Sequence, residues 1–582
     1  MVIAGYSAEC FTHNNPRSSC GECATRVVVH DTPTNDTNNT MNKRYFISGF
    51  LIPTLLFIAA CAAIPESTAV NSGGLTFIHL NDTYRVGTVE DGSRGGFGRV
   101  VTVIRELQRE GRDVRILHGG DFLYPSLESQ LWNGLQMVDA MNYLDDLAPM
   151  YVTTGNHEYD PRTPEHLINA VKASRFDWLG DNYRYVTGDA QADAALKSAF
   201  IIAAAAKKIG VFALTMHADD GGNERDYAPV DKNYVGVAQR VIEALEQQGV
   251  DAIIGLTHLN MGEDLQLARL RRNHPKLVFI VGGHEHEPQY SALSVESAAV
   301  IKGASNARVI WRIDLDFDAE GQPVITPTQL PLDEGVAVDV PYAQLDKKWR
   351  DQLLEKFPFL EARVGVAAMS FDVTEETVRN EETAWGNFIV DQMLGAFGEP
   401  AADFAFINSG TLRIDDYIAG DITFEDIART FGFSSLLRYM VMSGSEFRQM
   451  MEAGYRGTGR SKGYFPQIAG FRVCVDRSRE SGSRIVSLQV PDRDGWQEID
   501  DDAEYTVVIP DFLYNGGDGY QVPAGRDASR PGSELKYLLL DAIFRAQAES
   551  NNVGVAVDPD NPRILVNSQA DAQCFIESSA EH

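Results

Sequence analysis

The sequence is short of positive charge. Its 582 residues carry 51 Lys and Arg against 82 Asp and Glu, a net charge of −31. Such a surface repels a nucleic-acid backbone, so no nucleic-acid partner is expected. A small anionic ligand fits only where cations or metals are concentrated locally. Cysteine is also scarce, with 6 in all. Cys20 and Cys23 form a lone CxxC with neither a second ligand pair nor a βαβ context, so neither a zinc site nor a redox motif is read there. Beyond Cys61 only Cys474 and Cys574 remain, and a single disulfide or two buried thiols are both open. There is no internal repeat and no long low-complexity tract.

What is present is an ordinary soluble composition, 44% hydrophobic and 23% charged. The length calls for two large domains, or three. Long apolar runs are confined to one place. From Met41 the chain reads "MNKRYFISGFLIPTLLFIAAC". Lys43 and Arg44 supply a basic start, Phe46 to Ala60 an apolar stretch, and Cys61 follows small residues. This is the layout of an export signal. The small residues before Cys61 resemble a bacterial lipoprotein processing site, with Cys61 acylated. Pro53 and the abrupt end argue against a spanning helix. Residues 41–61 are therefore read as a lipoprotein signal peptide and 1–40 as a spurious or disordered extension. The mature protein is expected in the periplasm or cell envelope, meeting the membrane only through a lipid on Cys61.

From residue 75 to about 330 apolar runs alternate with helical patterns, as in a layered α/β domain. "LTFIHL" is followed by Phe97, Val100, Val101, Ile104 and Leu107, which recur on one helical face. "VRILHG", "MYVTTG", "VFALTM", "DAIIGLTH" and "KLVFIVGG" read as further strands. "TPTQLPLDEGVAVDVP" is Pro-rich and acidic and reads as a linker. Leu345, Trp349, Leu353 and Phe357 then mark a connecting helix ended by Pro358. The domains are drawn at 75–330 and 365–575, with 331–364 as linker and helix.

Ligand-type residues recur at five strand ends. They are Asp82, Asp121, Asn156 with His157, His258, and His284 with His286. Singly, each is a turn or a cap. Jointly they set carboxylates, an amide and imidazoles along one edge of an open α/β sheet, where ligands bind. That mixed oxygen and nitrogen set suits two divalent metals and phosphoryl hydrolysis. His79, His118 and His217 are read as structural or supporting.

These motifs resemble those of the calcineurin-like metallophosphoesterases, D-x-H, G-D, G-N-H-E, H and G-H-x-H. With the second domain they resemble the 5′-nucleotidase / UDP-sugar hydrolase family over about residues 75–525. The resemblance implies a four-layer β-sandwich flanked by helices, joined by a helix to a second α/β domain that rotates against it, with the hinge at 335–365. It implies two divalent ions, zinc, manganese, magnesium or cobalt. Asp82 and His286 would hold one, Asn156, His258 and His284 the other, and Asp121 would bridge. It assigns His157, oriented by Asp160, to the transition state or leaving group. In the second domain it assigns Arg379 and Arg413 to phosphate, Asn408 to substrate binding, Phe431 and Phe512 to a clamp on the nucleobase, and Asp518 to the ribose. The activity implied is 5′-nucleotidase, with UDP-sugar diphosphatase or 2′,3′-cyclic-nucleotide phosphodiesterase as alternatives. A thiosulfohydrolase shares the fold. A degenerate surface protein that binds nucleotides without turnover is the alternative of another class.

The chain departs from the pattern twice. Phe431-Gly432-Phe433 stands where the family has F-G-N, which removes an amide contact to the base. Asp82-Thr83-Tyr84 stands where D-x-H is usual. Tyr84 either binds metal as a phenolate, which favours a harder ion such as iron, or points away and leaves the position to water, or marks a weakly held metal.

Overall fold

The computed structural model describes residues 74–204, 206–216, 225–457, 462–493, 495–523, 526, 530–567 and 574–575. The readings of residues 1–40, 41–61, Cys61 and His217 lie outside the described residues. Among the described residues no helix is long and apolar enough to cross a membrane.

Strand β1 (Leu75–Leu80) is buried along its whole length. It pairs in parallel with β2 (Asp113–His118) and antiparallel with Val309–Phe317. Parallel neighbours β3 (Met150–Val152) and β4 (Asp177–Trp178) continue the sheet on one side, and Pro323–Pro331 closes the other. A second six-stranded sheet contains β5 (Phe200–Ala204), β6 (Lys207–Thr215), β7 (Ala252–His258), β8 (Leu277–Gly282), β9 (Gln289–Ser291) and β10 (Ala299–Lys302). Its β6, β7, β8 and β10 are mutually parallel.

Alternation along β1 explains the layering. Leu75 and Phe77 enter the core shared by the two sheets, with Leu117, Ile254 and Phe279. Ile78 and Leu80 face the other way, into a core with the helix Phe97–Arg109. That helix buries Phe97, Val100, Val101, Ile104 and Leu107, as its spacing predicts. Each such side chain contributes about 1.5–3 kcal/mol relative to exposure. The outer face of the second sheet is covered by Tyr234–Gln247 and Met261–Ala268. The order is helix, sheet, sheet, helix.

His79 ties the sheets together. Its ring nitrogens lie 3.1 Å from Leu117 O on the first sheet and 3.1 Å from Gly282 O on the second. Burial pushes its pKa down to about 4, so the neutral ring donates to one of these carbonyls and only packs against the other.

The supposed linker is partly a strand. Pro323–Pro331 pairs with Val309–Phe317 at the sheet's edge, where prolines break no inner ladder. The connecting helix runs Val340–Lys356, with Asp339 accepting from Tyr342 N at 3.0 Å. Beyond it a five-stranded sheet orders Pro466–Ala469, Phe404–Asn408, Glu504–Pro510, Leu436–Ser443 and Arg530–Glu534. A four-stranded sheet follows, and Cys474 on its strand Arg472–Asp476 is disulfide-bonded to Cys574.

Candidate active site

The strand ends converge. Asp82 N donates to Gly120 O and Thr83 N to Asp121 O, both at 2.9 Å, so the loops after β1 and β2 lie side by side. His284 N donates to Asp82 Oδ2 at 2.9 Å, which brings in the loop after β8. The backbone is bent to do this. Asp82, Asp121, His284 and His286 all have positive φ, at 52°, 56°, 85° and 62°. Non-glycine residues rarely adopt that region, and such strain concentrates at functional sites. Glycine permits the closeness: a Cβ on Gly155 would fall 2.1 Å from Asp121 Oδ1.

Asp82, Asp121 and His286 are buried with one potential ligand atom each within 4.8 Å of the others. His286 Nε2 is 3.1 Å from Asp82 Oδ1. The Tyr84 hydroxyl lies among them, 3.0 Å from His286 Nε2 and 3.4 Å from both Asp82 Oδ1 and Asp121 Oδ2. Donors bonded to one ion at about 2.1 Å stand about 3 Å apart, so the set fits a divalent cation. Tyr84 therefore does not point away. Burial and the two carboxylates push its pKa well up, which a cation in their midst would reverse. Burial alone would raise Asp82, but His286 holds it well below the usual carboxylate range.

The second expected set is looser. His258 Nε2 lies 3.2 Å from Asn156 Oδ1 and 3.3 Å from Asp121 Oδ2, and the His258 and His284 rings are 5.5 Å apart. His258 Nδ1 is 2.6 Å from Gly119 O, to which it donates, leaving Nε2 turned toward Asn156 and Asp121 as the nitrogen that could bind an ion. Asp121 has one oxygen already engaged. Its Oδ1 accepts from His157 N at 2.8 Å, so Oδ2 alone faces both groups.

His157 Nδ1 is 2.8 Å from Asp160 Oδ2. Burial would lower the ring's pKa, but Asp160 and Asp121 raise it to about 9. Its Nε2 is 3.2 Å from an Arg413 terminal nitrogen. An imidazolium cannot accept from arginine, so that contact belongs to the neutral ring. The charged ring needs an acceptor between the two cations.

Sequence reasoning assigned Glu158 no role. This fully buried carboxylate accepts from Asp121 N, Phe122 N, Leu123 N and Gly155 N at 2.6–3.0 Å and clamps two ligand loops together. The last position of G-N-H-E was its signal.

The second half brings its residues to the same place. Arg413 stands beside His157, its guanidinium 5.9 Å from the Tyr84 ring centre. Arg379 donates to Glu375 Oε1 at 2.8 Å. Arg379 Nε and Arg413 Nη1 are buried without a hydrogen-bond partner among the described residues. Asn408 donates to Asp518 Oδ2 at 2.7 Å, and the charges of Arg413 and Arg379 reach Asp518. Phe512 is 40% exposed. Phe431 is not available as its clamp partner. It is 0% exposed, bridged backbone to backbone with Leu412 and packed in the second half's core. The ring that faces the site is Phe433, half-buried, 6.0 Å from His157 and 5.5 Å from the Arg413 guanidinium.

Residues 75–288 match the calcineurin-like phosphoesterase family and residues 362–525 the 5′-nucleotidase C-terminal domain. A trifunctional nucleotide phosphoesterase, YfkN of Bacillus subtilis, is 26% identical over 77% of this chain. The chain spans about a third of that protein's length, 32%. The 5′-nucleotidase of Mus musculus is 23% identical over 81% of this chain and 88% of its own. Among solved structures, a 5′-nucleotidase precursor from Thermus thermophilus superposes with a TM-score of 0.72, at 24% identity, over 85% of this chain and 99% of its own. The sulfate thiohydrolase SoxB of the same organism gives 0.66 at 16% identity, over 85% of this chain and 97% of its own. The chain belongs to the 5′-nucleotidase family of calcineurin-like metallophosphoesterases, hydrolases of phosphoric esters.

Proposed function

We propose that this chain is an exported nucleotidase that holds two divalent ions and hydrolyses a phosphate ester or anhydride of a nucleotide. The observation that carries the reading is the pair of buried donors that make no hydrogen bond, Arg379 Nε and Arg413 Nη1, the second only in a loose 3.7 Å ion pair with Glu375, beside a buried carboxylate and imidazole group. An unmade hydrogen bond on a buried charged group costs more than the about 1–3 kcal/mol of a neutral one. Such donors are complementary to an anion, and guanidinium forks suit phosphate oxygens.

Asp82, Tyr84 and His286 would hold one ion, and Asn156, His258 and His284 the other, with Asp121 Oδ2 between them. Bound divalent ions supply polarisation of a phosphoryl oxygen and a more acidic water. Arg379 and Arg413 position the phosphate and offset charge that grows in the transition state. His157, kept protonated by Asp160, offers its Nε2 proton to an oxygen placed between it and Arg413. Asp518 and Asn408 are poised for the ribose. Phe512 offers a face to the base, and Phe433 replaces Phe431 as its aromatic partner. The apolar stretch ending at Cys61 supports a lipid anchor, which the mass of the mature N-terminus would establish.

The test is phosphate release from AMP, ATP and UDP-glucose with zinc, manganese, magnesium, cobalt and iron in turn. Release with at least one pair is expected, abolished in Asp121→Ala. Tight nucleotide binding without release under any metal would overturn the enzyme reading.

A further inference from the structure

One buried carboxylate is shared by both halves. Glu375 belongs to the second half, on the short helical turn Glu375–Val378, and its side chain is 6% exposed. Its Oε2 accepts from His286 Nδ1 at 2.6 Å and from Ser305 Oγ at 2.9 Å. Its Oε1 accepts from Arg379 at 2.8 Å and stands 3.7 Å from Arg413 Nη1. The placement is fixed from behind. Glu375 N donates to Asp415 Oδ1 at 3.0 Å, and Asp415 Oδ2 accepts from Asn306 at 2.7 Å. Asn306 in turn accepts from Tyr84 N at 2.9 Å.

We propose that Glu375 is a positioning residue that holds His286 as a metal ligand from across the interface, while occupying part of the arginine pair's donor capacity. The inference rests on the reading of His286 as a ligand. His286 turns Nε2 to Asp82 and Tyr84, so its Nδ1–H needs an acceptor. A carboxylate there fixes the tautomer and strengthens the ring as a donor. In this chain that acceptor comes from the other half, so the ligand is complete only when the halves are docked. The same carboxylate draws Arg379 and approaches Arg413, the residues assigned to phosphate. Removing it therefore has opposite effects on the two ligands.

The experiment compares wild type, Glu375→Ala and Glu375→Gln, checked for matched melting curves. Metal content after a chelator challenge and affinity by metal competition give one readout. Binding of inorganic phosphate at fixed saturating metal gives the other. The expected result is metal affinity lowered about 10–100-fold at one of two sites in Glu375→Ala, the range for lost supporting partners. Phosphate affinity rises in the same variant. Glu375→Gln, which keeps an acceptor without the charge, falls between on both counts. A merely structural role moves both affinities down together and would overturn the proposal. Unchanged metal affinity in both variants would overturn it too. Two ions bound by wild type without turnover would sink the nucleotidase reading and leave this inference standing.

Discussion

Lys302 offers a sharp test of how the ligand loops are held. It ends β10, is 1% exposed and keeps its charge. Its Nζ donates to Leu259 O at 2.5 Å and Gly283 O at 2.9 Å, and pairs with Asp264 at 2.9 Å and with Glu285. Gly283 and Glu285 flank His284, and Glu285 also precedes His286. Burial would lower the lysine's pKa, but Asp264 and Glu285 raise it. Lys302→Met keeps the length and removes the charge. It leaves two carboxylates, 0% and 3% exposed, without their cation. Breaking a buried pair in this way costs about 3–5 kcal/mol. For a domain of this size 1 kcal/mol moves the melting midpoint by about 2–4 °C. Calorimetry should therefore show the first domain melting roughly 6–20 °C lower. Metal retention should fall with it, because the His284–His286 loop loses its anchor. The triple variant Lys302→Met, Asp264→Asn, Glu285→Gln should recover part of the loss, since the uncompensated charges are gone. A single variant that melts like wild type would refute this account of the loop.

Three further outcomes are expected. Tyr84→Phe should lower metal content at one site and shift the preferred ion, whereas Tyr84→His should restore binding with a softer preference; unchanged content and rate in Tyr84→Phe would make the phenol a bystander. Phe433→Ala should raise KM for nucleotides without changing the melt, while Phe431→Ala should cost about 3–5 kcal/mol of stability; the reverse pattern would return the base to Phe431. Burial would raise the pKa of Glu425, but hydrogen bonds from Arg350 and Arg429 hold it at about 2, below its ordinary 4.5. Its folded value is the lower one, so its contribution is complete above about pH 4.5 and is lost as pH falls through about 2. Glu425→Gln should flatten the acid limb of a melting-midpoint profile, and an unchanged limb would show that the pair carries no linkage.

What could be read from the sequence is what local rules determine. β1 is legible because a short, mostly apolar run between Gly73-Gly74 and Asn81-Asp82 reads as a buried strand, and its tip marks Asp82. The other strand ends followed, and with them most of the group around Asp82, Asp121 and His286. Only the later part of the edge strand Pro323–Pro331, from Thr326 on, reads as linker in the sequence, because its prolines mask pairing that the neighbour Val309–Phe317 reveals. Phe431 and Phe433 lie two residues apart, and family order favoured the first. The choice between them is made by a backbone bridge from Leu412 that turns Phe431 inward. Glu375 was invisible for a stronger reason. A glutamate on an unremarkable helical turn becomes informative only when His286, 89 residues earlier, is found at its oxygen. The positive φ angles of Asp82, Asp121, His284 and His286 are likewise imposed by crowding at the sheet ends, not by their residue types.

The seam between the halves is polar, and that bears on how the site works. Arg429 meets Glu128 through two contacts of 2.6 and 3.1 Å, Arg350 meets Glu425, and Asn306 meets Asp415. Gln130 donates to Gly432 O at 2.5 Å, next to Phe433. Buried ion pairs return little net stability, because desolvation offsets attraction. An apolar seam of equal area would hold more tightly but would tolerate sliding. Directional pairs accept one register, and this one sets Arg413 against His157 and Glu375 against His286. Those two contacts join residues more than eighty positions apart in sequence. Arginine and carboxylate pairs along the seam provide that placement at low net cost. The roles proposed for the Asp82 group and for Arg379 and Arg413 thus depend on one docking geometry, and a change at the seam should act on both together.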